Sequence, residues 1–327
     1  MAFFDPDEVI HRLTQRLKMR HCVLLLRIER HGSLTRVAED MATSQPAITK
    51  ALAELESMFG AELFDRSVRG MAPTPLGKVA LAHARAMVHD LSHLARDMEA
   101  VAAGHTAHLH AGVIPFISGQ IISSAIQRTT SAGDQRLLMT LREGDSHQLL
   151  EELRNHSLDL VVARASATLD IHGLEFEVLY TQRPRLISSR RLAAQLARRS
   201  PDWHELAQLD WVLGAVHTPE REQVSTVFLE AGITPPTPIV ESDSTKLIGE
   251  LIAANDEAIS IVPADVAEEL VRIAGVAIVP YSFNWTLPPI ALFTRQRSQR
   301  HQAHTLLASA LREAGRRLAG AGEERRP

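Results

Sequence analysis

One stretch constrains this chain more than any other. Residues 32–63 read GSLTRVAEDMATSQPAITKALAELESMFGAEL. The pattern is two short helices joined by a tight corner, the second opening on small polar residues. Just upstream, Leu24, Leu25 and Ile28 stand at helical spacing in a helix expected over 19–31. Gly32 stops that helix, as glycine does just past a helix end. Ser33 is placed to cap a second helix over 34–41, with Val37, Ala38 and Met41 on its inner face. Ala38 is small where two crossing helices must approach closely. Ala42 and Thr43 make the corner, and Thr43 or Ser44 caps the third helix. Pro46 is tolerated in that first turn, where an N–H has no intrahelical partner. Ile48, Ala51, Leu52 and Leu55 face inward, and Gln45, Thr49 and Lys50 face out. This is the pattern of a helix-turn-helix, whose last helix can enter a DNA major groove.

The outward set has suitable chemistry. Glutamine can form a bidentate pair with an adenine edge, and threonine can touch a base or a phosphate. Lysine supplies phosphate contact and counterion release. An ordinary small helical bundle with a polar face would show the same pattern, and the residues taken alone leave both readings open.

The segment GSLTRVAEDMATSQPAITKALAELE, followed by LFDRSVRGMAPTPLG, resembles the N-terminal domain of LysR-type transcriptional regulators. The resemblance rests on Ser44-Gln45-Pro46-Ala47 and on Leu63, Phe64, Arg66, Arg69, Gly70, Thr74 and Gly77 in their spacing. Pro73 and Leu76 depart from the family pattern at the junction between wing and linker. The resemblance implies a winged helix-turn-helix over 18–77. It sets Gln45, Thr49 and Lys50 at the major groove, and Arg36, Arg66 and Arg69 on backbone or in the negative minor groove. Ser33, Thr35, Ser44 and Pro46 complete the implied double-stranded DNA-facing set. ITKALAELE, residues 48–56, is similar to the subgroup regulating aromatic-acid catabolism and sugar uptake, a likeness confined to the DNA-reading domain.

Bulk charge does not drive this reading. The 327 residues carry a formal charge of −4, which argues against indiscriminate nucleic-acid binding. Asp5, Asp7, Glu8, Asp40, Glu54 and Glu56 offset the arginines of the first 78 residues. Affinity must come from a focused surface, doubled by dimerisation. Cys22 is the single cysteine, so an internal disulfide is excluded, and a small buried apolar role is expected. The acidic start MAFFDPDEVIHR does not read as a signal peptide, and no run of about twenty apolar residues could span a bilayer. A cytoplasmic protein is expected, with residues 1–17 an extension preceding the usual family start.

A second feature argues for pairing without any family knowledge. Ala80, Ala84, Met87, Leu91, Leu94, Met98 and Val101 recur at steps of 4, 3, 4, 3, 4 and 3. That is a heptad seam, along which two helices pack. A stripe this wide could also bury against the chain's own domains. The resemblance implies a linker helix over 78–104 that pairs subunits into a homodimer or homotetramer and sets two reading heads on successive half-sites. His89 and His93 share a face of this helix, and His105, His108 and His110 follow. No carboxylate or cysteine cluster completes a ligand set, so neither a metal nor another cofactor is expected.

From residue 105 the periodicity changes to short apolar runs alternating with helical stretches. Strands are expected over 109–114, 137–141, 158–163, 186–188, 211–214, 239–241, 259–262, 278–281 and 289–294. Helices are expected over 118–128, 146–155, 190–198, 220–231, 245–255, 264–273 and 303–318. Alternation of this kind signals βαβ units and parallel sheet. The fold class is thus α+β and multidomain: a winged helix-turn-helix, a long linker helix and a two-lobed α/β effector domain. By resemblance that domain, 105–318, looks like a periplasmic solute-binding protein. Its first lobe takes 106–182 and 287–318, its second 183–286, and a disordered tail follows at 319–327.

In open α/β sheets, ligands lie beyond the carboxyl ends of strands, near helix N-termini. Phe116, Ile117 and Ser118 meet that rule after the first strand, Gly144, Asp145 and Ser146 after the second, and His217 and Thr218 after WVLGAV. Ser118, Asp145 and Thr218 could equally be caps alone. Arg164 ends the apolar run LDLVVA, where an isolated buried charge would be costly. Its partner is either the carboxylate of a small-molecule effector, held bidentately, or a neighbouring Asp or Glu. No G-x-S-x-G, P-loop or G-x-G-x-x-G appears, so an enzyme is not expected. A regulator whose effector shifts the population of lobe and dimer arrangements is expected, with a constitutive architectural DNA binder as the other reading.

Overall fold

The computed structural model describes residues 6–67, 70–131, 137–198, 202–216, 218–296 and 302–323. The chain divides into two compact units, Met1–Ala103 with Arg154–Ser157, and Gly104–Leu153 with Leu158–Pro327.

The first unit contains α1 (Pro6–Arg16), α2 (Met19–His31), α3 (Leu34–Asp40), α4 (Gln45–Phe59), β1 (Phe64–Ser67), β2 (Gly70–Pro73) and α5 (Pro75–Ala102). Helix α1 is an addition to the sequence reading, which had assigned no structure to the extension. Its acids Asp7 and Glu8 sit in the first turn and Arg16 in the last, matching the helix dipole. Val9 is its buried anchor. The core of this unit gathers Leu24, Leu25, Ile28, Val37, Leu52, Leu55, Leu63 and Leu81. Gly32 takes the left-handed conformation that ends α2, and its N–H donates to the Ile28 carbonyl. Ser44 caps α4 by accepting from the Ala47 N–H.

β1 and β2 form an antiparallel hairpin with Phe64 opposite Pro73. Pro73 thus closes the ladder where the chain turns away. Thr74 follows, accepts from the Gly77 N–H at 3.0 Å and donates to the Glu62 carbonyl at 2.9 Å. Gly77 is demanded by packing: a Cβ there would lie 1.9 Å from the Leu63 carbonyl oxygen. The start of α5 is therefore pressed onto the strand leading into the wing.

The second unit begins with β3 (Ala107–Val113), α6 (Gly119–Ser131), β4 (Leu137–Glu143), α7 (Ser146–Arg154), β5 (Leu160–Arg164) and β6 (Leu174–Tyr180). It continues with β7 (Pro184–Ser188), α8 (Arg190–Leu196), α9 (Trp203–Leu206), β8 (Asp210–Leu213), α10 (Pro219–Glu230), β9 (Val240–Glu241), α11 (Thr245–Ala254), β10 (Ala258–Pro263), α12 (Ala264–Ile273) and β11 (Ala277–Ile278). It closes with β12 (Ile290–Arg295) and α13 (Gln302–Glu323).

Two five-stranded sheets result, ordered β4-β3-β5-β12-β6 and β11-β7-β10-β8-β9. The sheets are mixed, not parallel as the alternation implied. β12 runs antiparallel to both β5 and β6, and β7 runs antiparallel to β10 and β11. The cause is the chain path: it leaves the first sheet after β6 and returns as β12, entering beside β5 from the opposite direction. Strand β6 escaped the sequence reading because most of its side chains are exposed, as on an edge strand. α13 also runs on to Glu323, beyond the expected end at 318, so the tail was assigned too early. Its last residues, 324–327, lie outside the described residues.

Leu149, Leu153, Val161, Phe293 and Ala303 centre the core of the first sheet. Trp211 and Phe228 centre one side of the second, with ring centroids 5.4 Å apart, edge to face. Truncating such an aromatic to alanine costs about 3–5 kcal/mol.

Candidate functional site

The first unit presents one polar face around the corner between α3 and α4. Ser44, Gln45, Pro46 and Lys50 are exposed there, and Thr49 is half-buried. The Gln45 amide donates to Thr49 Oγ1 at 3.0 Å, and Thr49 donates back to the Gln45 carbonyl at 3.1 Å. The glutamine is thus held along the helix face before any ligand arrives, which lowers the entropy cost of a base contact. Thr35 and Arg36 are exposed on the first turn of α3, and Arg66 is exposed on β1. Ser33 occupies the N-cap of α3 without a side-chain capping bond. Arg69 lies outside the described residues.

The corner is braced from behind. Arg27 on α2 donates to the Asp40 carboxylate at 2.7 Å and to the Asp40 carbonyl at 3.2 Å. The wing is tied to the junction of α2 and α3, because the Met71 N–H donates to the Gly32 carbonyl at 2.9 Å. Beneath α2, His21 is buried, and its Nδ1 accepts from the Lys18 N–H. Burial first, and then Arg20 and Lys18, lower its pKa below the ordinary value. Cys22 is buried beside it, as expected, and burial raises its thiol pKa.

The second unit brings side chains of its two sheets together. Arg164, at the end of β5, is buried and ion-paired to Glu220 in the first turn of α10. The Arg164 guanidinium also donates to the Pro288 carbonyl at 3.1 Å. Of the two partners left open by the sequence, the neighbouring carboxylate is the one present. Phe116 follows β3 of the first sheet, yet it belongs to the apolar cluster of Ile187 and Val212 of the second sheet and Ile248 and Ile252 of α11. Gly214 gives it room, since a Cβ there would approach the Phe116 ring at 3.4 Å.

A polar network surrounds that ring. Gln182, on the segment crossing between sheets, donates to the Phe116 carbonyl at 3.1 Å and to Asp265 at 2.8 Å. Tyr180 donates to Asp265 at 3.1 Å. Burial first, and then the facing Asp265 charge, push the Tyr180 phenol well above its ordinary pKa. Asp265 also accepts from the Ser118 N–H at 3.3 Å, and Glu269 accepts from the Gly119 N–H at 2.8 Å. The N-terminus of α6, an anion-favouring position, is therefore held by two carboxylates from α12.

The remaining sequence candidates distribute as follows. Ser118 is buried, and its hydroxyl accepts from the Gln120 N–H at 3.3 Å. Ile117 belongs to the core of the first sheet. Asp145 is an exposed cap of α7, accepting from Gln148 N–H at 2.9 Å, and Ser146 opens that helix on the edge beyond β4. Thr218 caps α10, accepting from the Arg221 N–H at 3.4 Å, two residues before Glu220. His217 lies outside the described residues. The sequence reading missed Glu220, Gln182, Tyr180, Asp265 and Glu269. Two of these carried a signal: Glu220 and Asp265 are first-turn acids of helices that follow strands, as in T-P-E and P-A-D.

Among the described residues, no three His, Cys, Asp or Glu side chains converge as a metal site, and no helix is long and apolar enough to cross a membrane. A helix-turn-helix face on one unit and two five-stranded sheets in contact on the other fit a DNA-binding regulator with a ligand-binding domain. Residues 19–78 match the family described as bacterial regulatory helix-turn-helix protein, lysR family, and residues 102–316 match the LysR substrate binding domain. The chain is 30% identical to the transcriptional regulator PcaQ of Agrobacterium fabrum, over 93% of this chain and 97% of that one. It is 26% identical to GbpR of Azospirillum brasilense, over 92% and 88%. The fold is similar to that of the LysR family regulator CbnR, with a TM-score of 0.56 at 19% identity, covering 91% of this chain and 99% of that one. This chain belongs to the LysR family of transcriptional regulators, which pair a DNA-binding helix-turn-helix with an effector-binding domain and are not enzymes.

Proposed function

We propose that the effector enters between the two sheets and competes with Glu220 for Arg164. The observation that carries this reading is the buried ion pair joining the end of β5 to the start of α10. Arg164 can hold a ligand carboxylate bidentately only after Glu220 has withdrawn. Glu220 sits on α10, packed on the second sheet, so its withdrawal moves that sheet relative to the first. An anion on Arg164 then has different affinities for the closed and the opened arrangement, which is the requirement for a ligand to shift a population. Ser118 and Phe116 lie at the same contact between the sheets. Asp145 and Thr218 are read as caps, and Ile117 as core.

On DNA, Gln45, Thr49 and Lys50 read the major groove, while Ser33, Thr35, Arg36, Ser44, Pro46 and Arg66 hold backbone. Arg69 belongs to the same set by resemblance. The protein works in the bacterial cytoplasm, where its operator is.

Glu220→Gln tests the competition. The neutral amide should loosen the clasp and lower the concentration of a carboxylate effector needed to change operator binding. The measurement is operator affinity against a carboxylate panel, for wild type and variant. An unchanged midpoint for the responding compound would overturn the role of the pair.

A further inference from the structure

Helix α1 lies outside the family's helix-turn-helix match, which begins at residue 19. It nevertheless walls a groove of about 230 Å³, with Val9 and Leu13 on one side and Leu76, Val79, Ala80, Ala84 and Met87 of α5 on the other. Cys22 and Leu25 of α2 form the floor. The groove continues directly into the seam of α5. There Met87, Leu91, Leu94, Met98 and Val101 are 42 to 65% exposed, so a stripe of large apolar side chains stands without cover within one chain.

The seam has a polarity. Its first half carries Ala80 and Ala84, small residues that line the groove, whereas its second half carries the large, exposed Leu91, Leu94, Met98 and Val101. Two copies in parallel would set large against large and small against small. Two copies running oppositely, about a two-fold axis near residue 89, set Ala84 against Leu94 and Ala80 against Met98. Met87 then meets Leu91. This register also keeps every contact between an a and a d position of the heptad, and it satisfies the self-complementarity of a two-fold interface. Charge agrees with it. Asp97 and Glu99 flank Met98, while exposed Arg16 and Lys18 flank Leu17, which lines the groove.

We infer that the groove between α1 and α5 receives the Leu94–Met98 segment of a second copy of this chain, making the N-terminal helix a part of the subunit interface. Without α1 the partner's helix would have only α5 and the edge of α2 to pack on.

The test uses the full-length protein with Cys22→Ala, Leu13→Cys and Met98→Cys, oxidised and run without reductant. Within one chain Met98 is eleven residues beyond Met87 on α5, or about 16 Å along the axis at 1.5 Å per residue, so a link must join two copies. A covalent dimer from the double-cysteine protein, absent from each single-cysteine protein, is expected. In parallel, Leu13→Ser should raise the dimer dissociation constant about tenfold or more in sedimentation, since one leucine leaves the interface. No inter-copy link in a protein that is dimeric by light scattering would overturn the inference and mean that something else covers the groove. A dissociation constant within twofold of wild type, with helical content unchanged, would overturn it as well.

Discussion

Arg164 and Glu220 form a buried ion pair between the two sheets of the effector-binding domain, each supplied by a different sheet's framework. Neither side chain has ready access to water, so each depends on the other. Removing one partner of such a pair costs about 3–5 kcal/mol, because it strands the other charge, while replacing both can be nearly neutral. Arg164→Ala and Glu220→Ala should therefore each lower the melting temperature more than the Arg164→Met, Glu220→Leu double variant does. Additive losses in a calorimetric comparison would show that the two residues act independently.

Gln45→Ala should weaken discrimination between the operator and a single-site variant by about 1–3 kcal/mol, if the amide pairs a base. Thr49→Val should produce part of the same loss, because it frees the Gln45 amide from its 3.0 Å hydrogen bond. Fluorescence anisotropy on matched and mismatched duplexes separates this from general weakening. Uniform loss across all sequences would assign Gln45 to the backbone.

The chain has two tyrosines, Tyr180 and Tyr281. Burial and the Asp265 charge raise the Tyr180 pKa well above 10 in the fold. In an alkaline absorbance titration, one phenol should resist ionisation until the protein unfolds. The sign of the linkage follows. The unfolded chain releases this proton near pH 10, the folded one only higher. The stabilisation is thus full below pH 10 and is lost as pH rises through the folded pKa. Tyr180→Phe should remove that component of alkaline sensitivity, and an unchanged stability profile above pH 10 would contradict it.

Gly77→Ala should destabilise the DNA-binding unit by about 1–3 kcal/mol, since the added methyl meets a backbone carbonyl that cannot swing aside. Thermal melting of this variant checks the effect. Gly104→Ala is the control, because nothing lies within 4 Å of a Cβ there, although its φ of +85° adds local strain.

Local signals made much of this fold legible. Gly32, Ser33 and Ser44 bound α2, α3 and α4 through rules that operate within four residues. The run from Ala264 to Ile273 likewise appears as α12 at the expected bounds. What escaped depends on distant contacts. The antiparallel return of β12 beside β5 leaves no trace in either strand, because the paired stretches 160–163 and 290–293 are apolar and would suit either direction. Edge strand β6 carries Glu175 and Glu177 in a pattern that a loop would share. At the cleft, Arg164 announced its need for a counter-charge, but Glu220 is 56 positions away and its choice is made by tertiary packing. Gln182 carried no signal at all, and Asp265 showed only as a first-turn acid, because their roles exist only once two sheets face each other.

The Phe116 ring has a consequence for how the regulator experiences its surroundings. It fastens the two sheets by seating in the apolar cluster of Ile187, Val212, Ile248 and Ile252, while Arg164 and Glu220 fasten them by charge. Hydrophobic stabilisation weakens on cooling, and a buried ion pair is only slightly screened by salt. The aromatic fastening therefore loosens in the cold while the ionic one holds, and added salt leaves both nearly untouched. Temperature, more than ionic strength, is thus expected to set how firmly the two sheets are held together.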